Sequence, residues 1–411
     1  MSRLAQWPDG LLAPALAPAA PRTLCTDCGV SRTARAAQCG TACQFIRPRY
    51  PVLEARVHGR GRDGERGDER FFGVYRQMLR GSLVPSLAGA QWSGITSRIG
   101  ARLLEVGAVD AVLTVAPDPS DRWRPVPVLV TEPGAMAQAR GMRMGYAPVL
   151  ALLETARARG HRRLAVIGIP CQVYALREIE ADLGLEALYV IGTPCSDNTT
   201  TDNFRRFLSL LAEEPETVTY LEFCTDYHVE LRFADGRIRR IPFLLLPLAE
   251  LPPDFFPLTC QTCVDYTNSL ADLTVGYMGG DGEQWLIARN ARGEELLALL
   301  GSELRTSPLT DRGRRQSHVA AYRANVELAA GGLPVRRMPR LLRHLVGWLM
   351  PRIGPGGLEF ARARVEMKAI ETVLHLRRKA PRRLKSMVPA HVWQLVERYG
   401  LVPGEGERDQ R

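Results

Sequence analysis

The chain has 411 residues, 45% of them apolar and 24% charged, with a formal net charge of +10. That length suits two or three packed units, the composition is that of a soluble globular protein, and no apolar run approaches the ~18 residues a membrane span requires. The apolar stretch at 11–21 is broken by three prolines, so the nine cysteines are expected to do metal or redox work in the cytoplasm, not to form disulfides.

In chain order, residues 1–60 are rich in Pro, Arg and Cys and weakly periodic, which predicts an irregular segment. Within it Cys25, Cys28, Cys39 and Cys43 have the spacing C-x2-C-x10-C-x3-C. Two close pairs let four thiolates converge tetrahedrally, which serves zinc and a cubane iron cluster equally well. From about residue 90 regular periodicity begins: helical spacing over 93–107, a β-rich run at 110–116, a helix over 148–160, a strand at 163–169, a helix over 172–184 and a strand at 187–193. Strand, helix, strand at this spacing is a right-handed crossover between parallel neighbours. Cys171 directly follows one strand and Cys195 the next. Parallel strands end on one sheet edge, where α/β proteins build ligand sites, so both thiols are expected in one crevice.

Further on, 220–243 reads as a β-hairpin with Asp235-Gly236 in its turn, and Cys260 and Cys263 form a C-x2-C pair ahead of another strand. The dispersed set Cys171, Cys195, Cys260 and Cys263 suits an electron relay deep in a domain better than a structural zinc knot, while Cys224, on a predicted strand, reads as core. Residues 331–411 hold 17 Lys+Arg against 7 Asp+Glu, so the tail carries the entire excess charge. Its block at 376–386 is either a solvated helix face or a docking surface for an acidic protein, nucleic acid or anionic membrane. A helix with apolar residues at 358, 361, 365, 369, 373 and 376 is expected to pack on the body. The apolar segment 341–350 is expected to do the same, contact with membrane or pigment being the alternative. These signals predict an α/β fold with a mixed or mainly parallel sheet and flanking helices. Three regions follow: a Cys-rich N-terminal segment (1–85), an α/β catalytic domain (86–330) and a helical basic C-terminal extension (331–411).

The runs VHGRGR (57–62), FFGVY (71–75), GAQWSGITSRI (89–99), DPSDRWRPVPVL (118–129), GIPCQVYALR (168–177), YVIGTPCSDN (189–198), CQTCVDYTNSLADLTVGYMG (260–279) and GPGGLEFAR (354–362) resemble, in that order, the β-subunit family of deazaflavin-dependent hydrogenases and dehydrogenases. Within it they are most similar to its ferredoxin-dependent chlorophyll-pathway reductases. The resemblance implies a flavoprotein with FAD and two 4Fe-4S clusters, supplied by reduced ferredoxin. It implies one cluster on Cys171, Cys195, Cys260 and Cys263, and matches Cys25, Cys28 and Cys43 to a second. Relatives read C-x2-C-G-L-C where this chain has CTDCGVS, so Ser31 stands at the third expected ligand position. Cys39 is expected to replace it, with ligation by Ser31 or an incomplete cluster as alternatives.

For the flavin, the resemblance points to Gln91, Trp92, Ser93, Gly94 and Thr96, with Gln172, Tyr266, Thr267 and Asn268. Gly94 allows close backbone approach, and the following helix N-terminus favours a pyrophosphate, although an ordinary capped helix start reads the same way. The implied reaction is reduction of the 8-vinyl group of divinyl chlorophyllide or protochlorophyllide a to ethyl. Reduction of 7-hydroxymethyl chlorophyll a, or service as an electron-entry β subunit, are the alternatives, and a zinc-stabilised nucleic-acid binder is the reading from another class. Tyr266, His58 and water are the candidate proton donors, and the basic tail is a candidate dock for acidic ferredoxin.

Overall fold

The computed structural model describes residues 7–16, 24–280, 282–328 and 339–407, so the expected boundary at 330/331 lies outside the described residues. The two larger sheets are built from β1 (Leu11–Leu12), β2 (Gln77–Leu83), β3 (Ala111–Asp118), β4 (Asp121–Val130), β5 (Arg163–Gly168), β6 (Ala187–Gly192), β7 (Val218–Phe223), β8 (His228–Phe233), β9 (Ile238–Pro242), β10 (Leu273–Gly280), β11 (Glu283–Ala288) and β12 (Leu304–Ser307). Nine form one sheet in the order β1-β4-β3-β5-β6-β10-β11-β2-β12. Its middle, β3-β5-β6-β10, is parallel, and antiparallel strands extend both sides. The expected mixed sheet is therefore present, with β5 and β6 as parallel neighbours from Arg163↔Ala187 to Gly168↔Gly192.

Period-two alternation sets the layers. Leu164 and Val166 of β5 face a core shared with the helices Leu152–Ala158 and Pro170–Ile179. Ala165 and Ile167 face the other side, toward the helix Ile95–Glu105. On that helix Ile95, Ile99 and Leu103 are fully buried, and such side chains each stabilise by about 1.5–3 kcal/mol. The predicted hairpin is a three-stranded antiparallel sheet, β7-β8-β9, with Gly236 at φ 86° in the expected turn. Its own core is completed by Phe204, Phe207, Leu208 and Leu211 of the helix Thr201–Leu211.

The helix Leu358–Lys379 packs on the body as its apolar stripe predicts, meeting Phe72 and Trp285. It is buried on more than one side, because its polar residues are paired internally. Glu366 receives Arg315 Nε at 2.9 Å, and Lys368 Nζ lies 2.6 Å from Asp197 and 3.1 Å from Glu371. The segment 341–350 behaves differently from expectation: only its inner side is covered, and Leu341, Leu342, Leu345 and Trp348 are exposed.

One ion pair ties the parallel layer together. Arg177, on the helix after β5, donates to Asp272 at 2.8 Å, and both side chains are 1% exposed. Arg177 Nε also donates to Leu270 O, and Asp272 accepts from Val190 N and Asn290 Nδ2. Removing one partner of such a pair strands a buried charge, at about 3–5 kcal/mol. Arg177→Met is thus expected to lower the stability measured by urea unfolding by that amount, and an unchanged midpoint would show that the pair is dispensable.

Candidate functional site

The strand ends bring the dispersed cysteines together. Cys171 occupies the first turn of the helix after β5, Cys195 follows β6 with its N–H donated to Tyr266 O at 3.0 Å, and Cys260 and Cys263 lie on and just after the short helix Leu258–Gln261. All nine cysteines are free thiols. Burial, reinforced by repulsion from Cys260, Cys171 and Cys263, pushes the Cys195 thiol well up. Burial chiefly also raises Cys260 and Cys263 to about 12. Such mutual repulsion places these thiols within electrostatic reach of one another.

The N-terminal thiols form a second such group. Cys28 is raised to about 12, by burial first and then by repulsion from Cys39, Cys43 and Cys25, and Cys43 is raised by burial with Cys39 and Cys25 adding. Cys39 is therefore among the convergent thiols. Ser31 lies in the intervening 3-10 turn Val30–Arg32. The two groups interlock: Thr26 Oγ1 is 3.7 Å from Cys171 Sγ, Gln44 Nε2 is 3.6 Å from Cys263 Sγ, and Cys28 adds to the upward shift of Cys171. Among the described residues, no three His, Cys, Asp or Glu side chains close to the spacing of a single ion.

A cation sits beside the inner thiols. Burial opposes the charge of Lys368, but the attraction of Asp197 and Glu371 outweighs it and raises the affinity for the proton, so the ammonium stays charged. It lines a cavity of about 60 Å³ with Tyr266, Tyr322 and Arg364. A larger cavity of about 540 Å³, between Pro51 and His391, is lined by none of the predicted flavin residues.

The predicted flavin residues come from two places that meet at one sheet edge. Ser93 Oγ and Ile95 N both donate to Gln284 Oε1, at 3.2 and 3.1 Å. Gln284 pairs with Tyr277, the neighbour of Gly276, and Pro194 packs against Gly276. Part of the helix N-terminus expected to receive a pyrophosphate is therefore satisfied by Gln284. Gln91 and Thr96 flank this point in the sequence, Trp92 has φ 47°, and Gly94 has φ 90° with a hypothetical Cβ 2.8 Å from Ala90. Gln172 caps its own helix and donates to Ala147 O at 2.8 Å, while Thr267 donates to Phe72 O at 3.1 Å, so both carry structural bonds.

Asn268 is different. It adopts φ 59°, which Asn tolerates, and its amide donates to Gly168 O at 2.8 Å. Its Oδ1 is buried with no hydrogen-bond partner among the described residues, which fits a ligand N–H, since buried acceptors are ordinarily satisfied.

Two arginines escaped the sequence reading. Arg140 donates to Ala88 O, in the loop before Ser93, at 2.7 Å, and Arg143 donates to the carbonyls of Gly141 and Arg140. The Nε atoms of both are buried without a partner among the described residues, and burial draws Arg143 down to about 10. Donors held this way beside that loop fit a phosphate-bearing ligand. In an arginine-rich chain nothing local marks them out. His58, by contrast, is a poor acid: burial and the Arg289 charge lower it to about 4. Its Nε2 lies 2.8 Å from Ser269 O, which can only accept, so the ring is neutral with its proton committed there.

Residues 78–154 match the N-terminal part, and residues 161–311 the C-terminal part, of the coenzyme F420 hydrogenase/dehydrogenase beta subunit. The chain is 39% identical to 7-hydroxymethyl chlorophyll a reductase of Oryza sativa, covering 91% of this chain and 82% of that protein. It is 38% identical to an uncharacterized Nostoc protein, covering 92% and 94%. A chain of the F420-reducing [NiFe] hydrogenase complex from Methanosarcina barkeri has the same fold, with a TM-score of 0.55 at 20% identity over 74% of this chain and 92% of that one. The chain, an oxidoreductase by its relatives, belongs to the coenzyme F420 hydrogenase/dehydrogenase beta-subunit family.

Proposed function

We propose that this chain is a ferredoxin-dependent iron-sulfur flavoprotein that reduces the 8-vinyl group of divinyl chlorophyllide or protochlorophyllide a to ethyl, a gain of two electrons and two protons. The observation that carries the reading is the interlocking of two thiol quartets, through Thr26 on Cys171 and Gln44 on Cys263, at the strand ends that also present Asn268. Cys25, Cys28, Cys39 and Cys43 would hold one 4Fe-4S cluster, and Cys171, Cys195, Cys260 and Cys263 the other. FAD would lie along 91–96 with Gln172 and 266–268, its phosphates toward Arg140 and Arg143. Such cofactors supply the exchange between single electrons and electron pairs.

The protein's share is positioning and electrostatics. Lys368 offsets negative charge on the inner thiolates, the helix Leu358–Lys379 keeps water from them, and the Asn268 carbonyl orients what it binds. The exposed residues Arg47, Arg382 and Lys385 offer an acidic donor protein a basic surface near the first quartet. Arg383 places that surface there, since it donates to Phe45 O and its charge acts on Cys43. Arg377 and Arg378 are already bound, Arg377 to Glu407 and Arg378 to the carbonyls of Val326 and Glu327.

A second reading, reduction of a 7-hydroxymethyl group to methyl with loss of water, is favoured by the rice relative and needs the same electrons and protons.

Anaerobic purification is expected to yield roughly eight iron atoms and one flavin per chain, with Cys39→Ala losing about half the iron and Ser31→Ala none. Turnover with reduced ferredoxin is expected on divinyl chlorophyllide. Turnover on 7-hydroxymethyl chlorophyll alone would establish the second reading, and protein without iron or flavin would overturn both.

Arg382→Gln combined with Lys385→Gln is expected to raise KM for ferredoxin about 3- to 10-fold at low salt, with kcat unchanged. A KM unaffected by both the substitutions and added salt would place the donor elsewhere.

A further inference from the structure

The helix Arg340–Ile353 wears its apolar face outward. Leu341, Leu345 and Trp348 recur at helical spacing on one side and are 87%, 54% and 58% exposed, with Leu342 and Ile353 exposed at the margins. The opposite side is the one that packs: Gly347 is buried against Pro242, and Met350 meets the main core. Five of the fourteen large exposed hydrophobics among the described residues lie on this one helix, a concentration that marks an interaction site.

The charge carried by the helix itself has a single sign: it contains Arg340, Arg343 and Arg352 and no acidic residue. The Arg352 guanidinium lies over the Trp348 ring, 4.3 Å from its centroid, so that the aromatic face and a cation are presented together. Outward Leu and Trp with arginine and no acid is the make-up of a helix that lies in the headgroup region of an anionic bilayer. Its 14 residues rise about 21 Å, short of a ~30 Å hydrocarbon core, and no helix among the described residues is long and apolar enough to cross a membrane. A second copy is a poorer occupant, because a two-fold contact would set the same arginines against each other.

We infer that this helix docks the protein on an anionic lipid surface, lying on the bilayer without crossing it. The inference stands independently of the proposed reaction.

The test uses the full-length protein and sedimentation with vesicles of phosphatidylcholine alone or mixed equally with phosphatidylglycerol. Co-sedimentation with the anionic vesicles only is expected, weakening as salt is added. Leu345→Ser with Trp348→Ser is expected to cut the bound fraction at least about tenfold. Both positions are exposed, so far-UV circular dichroism and the thermal midpoint should match the parent. Three results would each overturn the inference: no binding to anionic vesicles, binding undiminished in the double variant, or a parent dimer that the double variant splits. An acidic protein partner would be indicated if the parent ignored vesicles yet bound a polyglutamate column through Trp348.

Discussion

The buried pair Arg177–Asp272 is the constraint on which the site depends. Arg177 belongs to the helix that opens with Cys171, and Asp272 ends the segment that runs from Cys263 through Tyr266 and Asn268 into β10. A charge cannot be left alone in that interior, so the two elements hold one relation, and with it the thiols. Asp272 also fixes β6 through Val190 N, the strand that leads to Cys195. Three of the four inner cysteines are thereby positioned by groups that never touch them.

Over this layer the N-terminal segment is clamped by polar contacts, for it has little periodic apolar surface of its own. Gln44 bonds to both Tyr50 and Cys263, and Leu150 N donates to Cys28 O at 3.0 Å. An irregular chain must satisfy its backbone and side-chain groups one by one. The cysteines of such a segment gain a defined arrangement only against the folded domain.

Arginine explains how a chain with so much positive charge keeps a packed tail. Its five donors can serve carbonyls as well as carboxylates. Arg102 donates to Leu299 O, Arg378 to Val326 O and Arg377 to both Val402 O and Glu407. Net charge therefore overstates how much of the basic surface is available to a partner. Arg382 and Lys385 are among the basic residues that stay exposed.

Local order was legible in the residues themselves. Alternation in 163–169 and 187–193 and the helical stretch between them point to parallel neighbours, because a helical crossover returns the chain to run in the same direction beside the strand it left, and that arrangement brings Cys171 and Cys195 to one edge. The turn at Asp235-Gly236 was readable for a similar reason: the backbone there needs φ > 0 and few residues accept it. Tertiary structure alone decided that Gln284, distant in sequence, occupies the helix start at Ser93, that Arg140 and Arg143 hold buried Nε atoms beside that loop, that His58 is neutral, and that the apolar side of 341–353 faces outward. Periodicity records which side of an element is apolar. It carries nothing about what lies opposite, and burial, electrostatics and hydrogen bonding are settled by that neighbour.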